Sequence, residues 1–364
     1  MNKLQQTIDN ICPLPAGDGA RAQARLDSLT KPPGSLGRLE DIARQLVGIT
    51  GAERPSVRRK TIIVMAGDHG VTAEGVSVFP QAVTAQMVLN FLRGGAAINV
   101  LARHAGARLV VVDIGVNGGF PADAAPAGAS ATVEFLRRKV APGTRNLARE
   151  AAMTREQALA ALTTGIEIAE AECARGAEMI ATGDMGIGNT TASSAIAAVV
   201  TGRPPAEVTG RGTGVNDAGL AKKIEVIGRA LALHGLARGS AGVPALDLLA
   251  KIGGLEIAGL AGVILGAAAA RRPVVLDGFI SGAAALIAAE LAPNVTPFCF
   301  AAHRSVEAGH RAALEKLGLK PLVELDLRLG EGTGAVLAMH LIEAAAKIYN
   351  EMATFAEAGV TEKD

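Results

Sequence analysis

Glu178-Met179-Ile180-Ala181-Thr182 runs directly into Gly183-Asp184-Met185-Gly186-Ile187-Gly188-Asn189-Thr190-Thr191, and then into the Ala-rich segment Ala192–Val200. The first five residues have the character of a short buried strand. The last segment has helical spacing, and the glycines between them make the turn. A strand that turns through glycines into a helix is one unit of an α/β fold.

The unit recurs in both directions. Thr61–Ala66, Leu109–Ile114, Val274–Ile280, Val295–Phe300 and Leu322–Leu329 are further apolar runs bounded by Gly, Pro or charged residues. Helical spacing fills the intervals at Ala82–Arg93, Ala97–Ala105, Arg155–Arg175, Asp217–Leu236, Leu255–Ala269, Gly282–Leu291 and Val306–Leu317. The alternation predicts an α/β fold with a mainly parallel six-stranded sheet flanked by helices. Residues 1–50 and the segment from about Ala335 to Phe355 supply helices and no strand. They predict a smaller helical domain, 1–58 plus 336–364, beside a large domain at 59–335; residues 361–364 are expected to fray.

In an open parallel sheet the carboxyl ends of all strands lie on one edge, where ligands bind. The unusual polar residues follow the predicted strands: Asp68 and His69, Asp113, Asp184, Asp277, His303 with Ser305, and Glu331 within Gly330-Glu331-Gly332-Thr333-Gly334. They are therefore expected to meet in one cleft. Gly186–Thr191 fits a phosphate-binding turn, with Asn189 or Thr190 capping the next helix, and fits an ordinary strand-to-helix turn equally well. It lacks both the Gly-Lys-Ser/Thr of a Walker loop and the dinucleotide fingerprint. A second glycine cluster, Gly210-Arg211-Gly212-Thr213-Gly214, favours the ligand reading. Glu331 would repel a phosphate and suits proton transfer, although a glutamate that merely favours a helix N-terminus has the same spacing. Lys223, on the helix after Asn216-Asp217, reads first as a solvated surface lysine, as most lysines are.

Composition removes several classes of function. Lys and Arg total 36 against 35 Asp and Glu, so nothing draws the chain to nucleic acid or to an acidic membrane. Aromatic residues are 2% with no Trp, which leaves no stacking platform for single strands. Leu255–Ala270 is the most apolar stretch, but it contains Glu256 and is shorter than the roughly 20 residues of a membrane helix; it is expected to be a core helix. Cys12, Cys173 and Cys299 are far apart, as in a cytoplasmic protein with reduced thiols. No His-x-His or His-x-x-x-His pair gathers metal ligands.

The motifs together match a known family. Ala66-Gly67-Asp68-His69-Gly70-Val71, Glu74–Pro80, Gly183–Thr191, Gly210–Gly214, Asp277-Gly278-Phe279-Ile280, His303–His310 and Gly330–Ala335 occur in the family's order, and Leu29–Leu39 also fits. The chain resembles the nicotinate-nucleotide:dimethylbenzimidazole phosphoribosyltransferases. The resemblance implies a Rossmann-like sheet domain that carries the catalysis. It also implies a homodimer with no metal and no cofactor. The substrates would be nicotinate mononucleotide and 5,6-dimethylbenzimidazole, and the products α-ribazole 5′-phosphate and nicotinate, a step of cobalamin lower-ligand synthesis. Attack on the anomeric carbon from the face opposite the leaving nicotinate would turn β into α.

By matching position, Glu331 would be the general base, and Asp184, Gly186, Gly212, Lys223, Asp277, Gly278 and Ser305 would contact the nucleotide. Phe79, Met87, Met185 and Leu329 would surround the base. Asp184 departs from the glutamate of many members, and Phe79 from the small polar residue of some. Two other functions fit the polar set: a metal-dependent phosphohydrolase using the Asp and His residues, and a nucleotide-binding protein that does no chemistry.

Overall fold

The computed structural model describes residues 2–121, 124, 133–212, 214–237 and 242–361. The expected fraying at 361–364 falls almost wholly outside them. The sheet consists of β1 (Lys60–Gly67), β2 (Arg108–Gly115), β3 (Val133–Arg137), β4 (Met179–Met185), β5 (Val274–Leu276) and β6 (Cys299–Ala301). Their order is β3-β2-β1-β4-β5-β6, and every pairing is parallel. The chain thus works outward from β1 to one edge, returns to β4, and works outward to the other. Between β1 and β4 the direction of winding reverses, and a crevice opens at the carboxyl ends of the strands.

The central strands were legible because every residue of β1 is buried and β2 and β4 are nearly so. Two edges differ from the expectation. Leu322–Leu329 is not a strand: Leu322 and Val323 donate to carbonyls beside β6, but Asp326 adopts φ +53°, which breaks the extended course. Val133–Arg137, which the sequence reading missed, is the sixth strand. It lies half-exposed at the sheet edge, so it shows no buried apolar run. The fourth and fifth predicted strands are shorter than expected. Phe279–Leu291 is already helix, and Pro293–Phe298 is a 3₁₀ turn.

Helices cover both faces of the sheet. Helix Arg155–Ala174 packs on helix Leu255–Ala269, the predicted core helix, through backbone contact that only glycine permits. A Cβ on Gly165 would lie 1.9 Å from the Gly259 carbonyl oxygen, and one on Gly262 would lie 2.0 Å from that of Leu162. Gly262→Ala is therefore expected to destabilise the protein by about 1–3 kcal/mol through overpacking. Urea denaturation would read this as a lower midpoint; an unchanged midpoint would show that the helices separate freely.

Helices Ala16–Ser28 and Arg38–Thr50 lie with the C-terminal helix Thr333–Glu351, whereas Lys3–Asp9 packs on helices Arg155–Ala174 and Leu255–Ala269. Ala22, Leu26, Leu29, Ala43, Val47 and Tyr349 form a small core of their own, while Leu46 and Ile49 join the main one. Among the described residues, no helix is long and apolar enough to cross a membrane.

Candidate active site

At the carboxyl edge of β4, β5 and β6 lies a cleft of about 640 Å³. It is lined by Asp184, Met185, Gly186, Gly212, Gly278, Ser305 and Leu329 from the expected set. Residues separated by more than a hundred positions in sequence thus share one wall, as the sheet topology requires. Lys223, Asp277 and Glu331 are buried behind that wall. Phe79 and Met87 are not part of the cleft lining. Phe79 is exposed on the loop after β1, and Met87 is half-buried on helix Ala82–Arg93. That helix is tied to the cleft by Thr84, whose hydroxyl accepts the Ile187 N–H at 3.1 Å.

The turn after β4 is shaped by close contact. A Cβ on Gly186 would lie 2.3 Å from the Gly67 carbonyl, so glycine alone lets the ends of β1 and β4 meet. Gly188, at φ +97°, starts helix Asn189–Thr201 with no side-chain cap. The expected capping role of Asn189 is replaced by another: its side-chain amide donates to Asp184 Oδ2 at 2.9 Å. The other oxygen of Asp184 is buried without a partner. Burial, then the carboxylates of Asp277, Glu256 and Glu331, push its pKa well above the usual carboxylate range. Its acid form is thus favoured over that of an ordinary aspartate, and that form can donate one hydrogen bond.

Lys223, on helix Asp217–Leu233, is only 1% exposed, which sets it apart from a surface lysine. Its ammonium donates to Thr190 Oγ1 at 2.7 Å and lies 3.5 Å from the Gly210 carbonyl. Burial lowers its pKa to about 8, against the opposing pull of Glu307. The Gly212 N–H donates to Glu307 Oε1 at 2.9 Å, and Glu307 N–H points at Ser305 Oγ, 3.4 Å away. The Lys223 ammonium and the Ser305 hydroxyl thus gather at one end of the cleft, where the Glu307 carboxylate occupies the Gly212 N–H; a phosphate taking the place of that carboxylate would meet an ammonium, a backbone N–H and a hydroxyl.

Glu331 occupies an exceptional backbone position. Gly330, Glu331 and Gly332 have φ +84°, +64° and +89° in succession. Left-handed backbone costs a residue with a Cβ about 1–2 kcal/mol, a strain that tends to persist where a side chain has a task. Gly183 lets the loop in: a Cβ there would be 2.6 Å from the Glu331 carbonyl oxygen. The residue is 4% exposed, and its Oε2 has no partner. Burial raises its pKa to about 7; a hydrogen bond from the Ile98 backbone opposes this, and the Asp277 charge adds to it. A carboxylate poised there is a competent proton acceptor at neutral pH.

The remaining Asp and His residues are engaged elsewhere. His69 Nε2 meets Glu256 Oε1 at 2.7 Å with both side chains fully buried. Burial opposes the imidazolium, but Glu256 outweighs it and holds the His69 pKa above its ordinary value. Asp113 accepts the Val116 N–H and pairs with Lys139 at 3.2 Å. His310 Nδ1 accepts the Ser305 N–H, and burial lowers its pKa to about 3. Among the described residues, no three His, Cys, Asp or Glu side chains are grouped to hold a metal ion.

His303, expected in the cleft but given no role, lines it, and so do Glu307 and Arg328, which the sequence reading did not assign to the site. His303 and Glu307 flank Ser305 in one motif, and that adjacency was the available signal. Arg328 offered none, since Leu322–Leu329 read as a strand.

A family model described as "Phosphoribosyltransferase" matches residues 12–360. The nicotinate-nucleotide–dimethylbenzimidazole phosphoribosyltransferase of Chloroflexus aggregans is 58% identical over 363 residues, covering 100% of this chain and 99% of that one. The protein of the same name from Geobacter metallireducens is 58% identical over 360 residues, 99% of this chain and 98% of that one. The crystal structure of CobT from Thermus thermophilus superposes with a TM-score of 0.89 at 50% identity, covering 95% of this chain and 100% of that one. The chain belongs to the nicotinate-nucleotide–dimethylbenzimidazole phosphoribosyltransferase family.

Proposed function

We propose that the protein transfers the 5-phosphoribosyl group of nicotinate mononucleotide to 5,6-dimethylbenzimidazole, giving α-ribazole 5′-phosphate and nicotinate for the lower ligand of cobalamin. The observation that carries this reading is Glu331, a buried carboxyl with a pKa of about 7 beside a cleft that ends in a phosphate-type donor set. The pyridinium of the nucleotide is already a good leaving group, so no metal or cofactor is needed to activate it. The protein has to place two rings on opposite faces of one anomeric carbon and remove one proton.

Lys223, Gly186, Gly212, Gly278 and Ser305 hold the nucleotide, its phosphate nearest Lys223. Asp184 hydrogen-bonds the ribose. Met185 and Leu329, with Met87 and Phe79 at the entrance, form the apolar surroundings of the methylated base. The benzimidazole nitrogen without a proton attacks the anomeric carbon, and Glu331 takes the proton from the other nitrogen. We further propose a homodimer in the cytoplasm, with residues 1–58 and 336–364 forming the smaller helical unit. All three thiols are free, as that compartment requires.

Nicotinate release that depends on added dimethylbenzimidazole, in the presence of EDTA, is the expected result. Release without the base would make the protein a hydrolase. Loss of activity with EDTA that Mg²⁺, Mn²⁺ or Zn²⁺ restores would require a metal mechanism.

A further inference from the structure

Asp277 follows β5 and is fully buried, and although its neighbour Gly278 lines the cleft, Asp277 does not. Both of its oxygens are engaged by the segment immediately after Glu331. Oδ2 accepts the Gly332 N–H at 3.1 Å, and Oδ1 accepts the Ala335 N–H at 2.9 Å. These donors are the otherwise orphaned N–H groups at the start of helix Thr333–Glu351. The loop has little else to hold it. Glu331 N–H donates to the Asp184 carbonyl at 3.2 Å, and Thr333 folds back on the Gly330 carbonyl. A run of three left-handed residues has no regular structure to fall back on.

We propose that Asp277 is the positioning residue of the general base: its carboxylate clamps the backbone beyond Glu331 and thereby fixes where the Glu331 carboxyl points. The proposal rests on the function given above and adds how its base is held. His303 completes the clamp. Its Nε2 is 3.8 Å from Asp277 Oδ1, and its ring fills the space over Gly334, where a Cβ would come within 2.1 Å of Cδ2. The same carboxylate acts through space. Burial raises the Asp277 pKa, and His303 with the donated backbone N–H groups pulls it back down. Its negative charge in turn raises that of Glu331. The titratable groups facing Glu331 are Asp277 after β5 and Asp184 on β4. His303 and Glu256 act one step further out.

The test is Asp277→Asn, alone and combined with Glu331→Gln, with steady-state kinetics, pH profiles and calorimetric binding of nicotinate mononucleotide. An amide can accept one of the two N–H groups and clashes with the other. A base displaced by about 1 Å loses up to roughly 100-fold, so kcat should fall about 10- to 100-fold. Nucleotide Kd should stay within about threefold, because uniform binding is not touched. The limb of kcat governed by Glu331 should move to lower pH, since one negative charge beside it is gone. In the Glu331→Gln background Asp277→Asn should cost nothing more, because there is no base left to position.

Roughly tenfold weaker nucleotide binding at unchanged kcat would make Asp277 a nucleotide ligand and overturn the proposal. So would losses that multiply in the double variant. If Asp277→Asn does not fold, Ala335→Pro deletes the N–H that Oδ1 accepts and sets a ring carbon against that oxygen, in the first helical turn where no intrahelical bond is lost. It should lower kcat with nucleotide affinity retained, and an unchanged kcat would overturn the clamp. Full activity of Glu331→Gln itself would instead defeat the general-base reading, so the two failures are distinguishable.

Discussion

Glu331→Gln lowers kcat at least about 100-fold while the affinity for nicotinate mononucleotide changes little. The variant keeps the shape of the side chain and the left-handed backbone, so the loop and the helix after it stay in place. It loses the charge and the basicity. As the new C–N bond forms, the benzimidazole ring gains positive charge and its N–H becomes acidic. A carboxylate beside it both stabilises that charge and accepts the proton; an amide does neither. The wild-type pH profile carries the same signature. The base works only when deprotonated, and burial has raised the Glu331 pKa to about 7, so kcat should rise with pH through the neutral range and then level off. In Glu331→Gln that limb should vanish. Near-wild-type kcat in the variant would transfer the base role elsewhere, and Asp184 would be next to test.

Lys223→Ala weakens nucleotide use far more than benzimidazole use. A charge-assisted hydrogen bond to phosphate is worth roughly 1.5–3 kcal/mol, or about 10- to 150-fold in affinity. Removing the ammonium also leaves the Glu307 carboxylate without the buried cation it acts on, which makes that end of the cleft less favourable to a phosphate. The charge of Lys223 is itself conditional. Burial has lowered its pKa to about 8, so in the wild-type protein KM for the nucleotide should climb as pH rises beyond that value. The variant should show a high KM at every pH and lose that climb. An unchanged KM for nicotinate mononucleotide in Lys223→Ala would remove the residue from the site.

What the sequence showed and what it hid follow from the same physics. β1, β2 and β4 are central strands buried on both faces, so they appear as continuous apolar runs. Helices such as Ala82–Arg93 and Ala97–Ala105 show their spacing directly. β3 escaped because an edge strand with one wet face has no such run. Leu322–Leu329 misled because its alternating pattern is that of a strand, whereas the left-handed Asp326 that interrupts it is a conformation rather than a composition. In the site, glycine clusters announced where backbone meets backbone at Gly183 and Gly186, and where it meets the Thr190 and Lys223 side chains at Gly212. Side-chain burial was invisible: nothing in the sequence separates Lys223 from a surface lysine or shows that Asp277 turns both oxygens onto backbone N–H groups. Those facts depend on which elements the fold brings together across 33 positions, as with Lys223 and Thr190, or 58, as with Asp277 and Ala335.

The most direct measurement is the identity of the product. The protein incubated with nicotinate mononucleotide and 5,6-dimethylbenzimidazole should release nicotinate and a single nucleotide in equal amounts, and proton NMR of that nucleotide should show an α-glycosidic bond to the benzimidazole. Retained β configuration, ribose 5-phosphate in place of the nucleotide, or binding of both substrates with no turnover would contradict in-line transfer at this cleft.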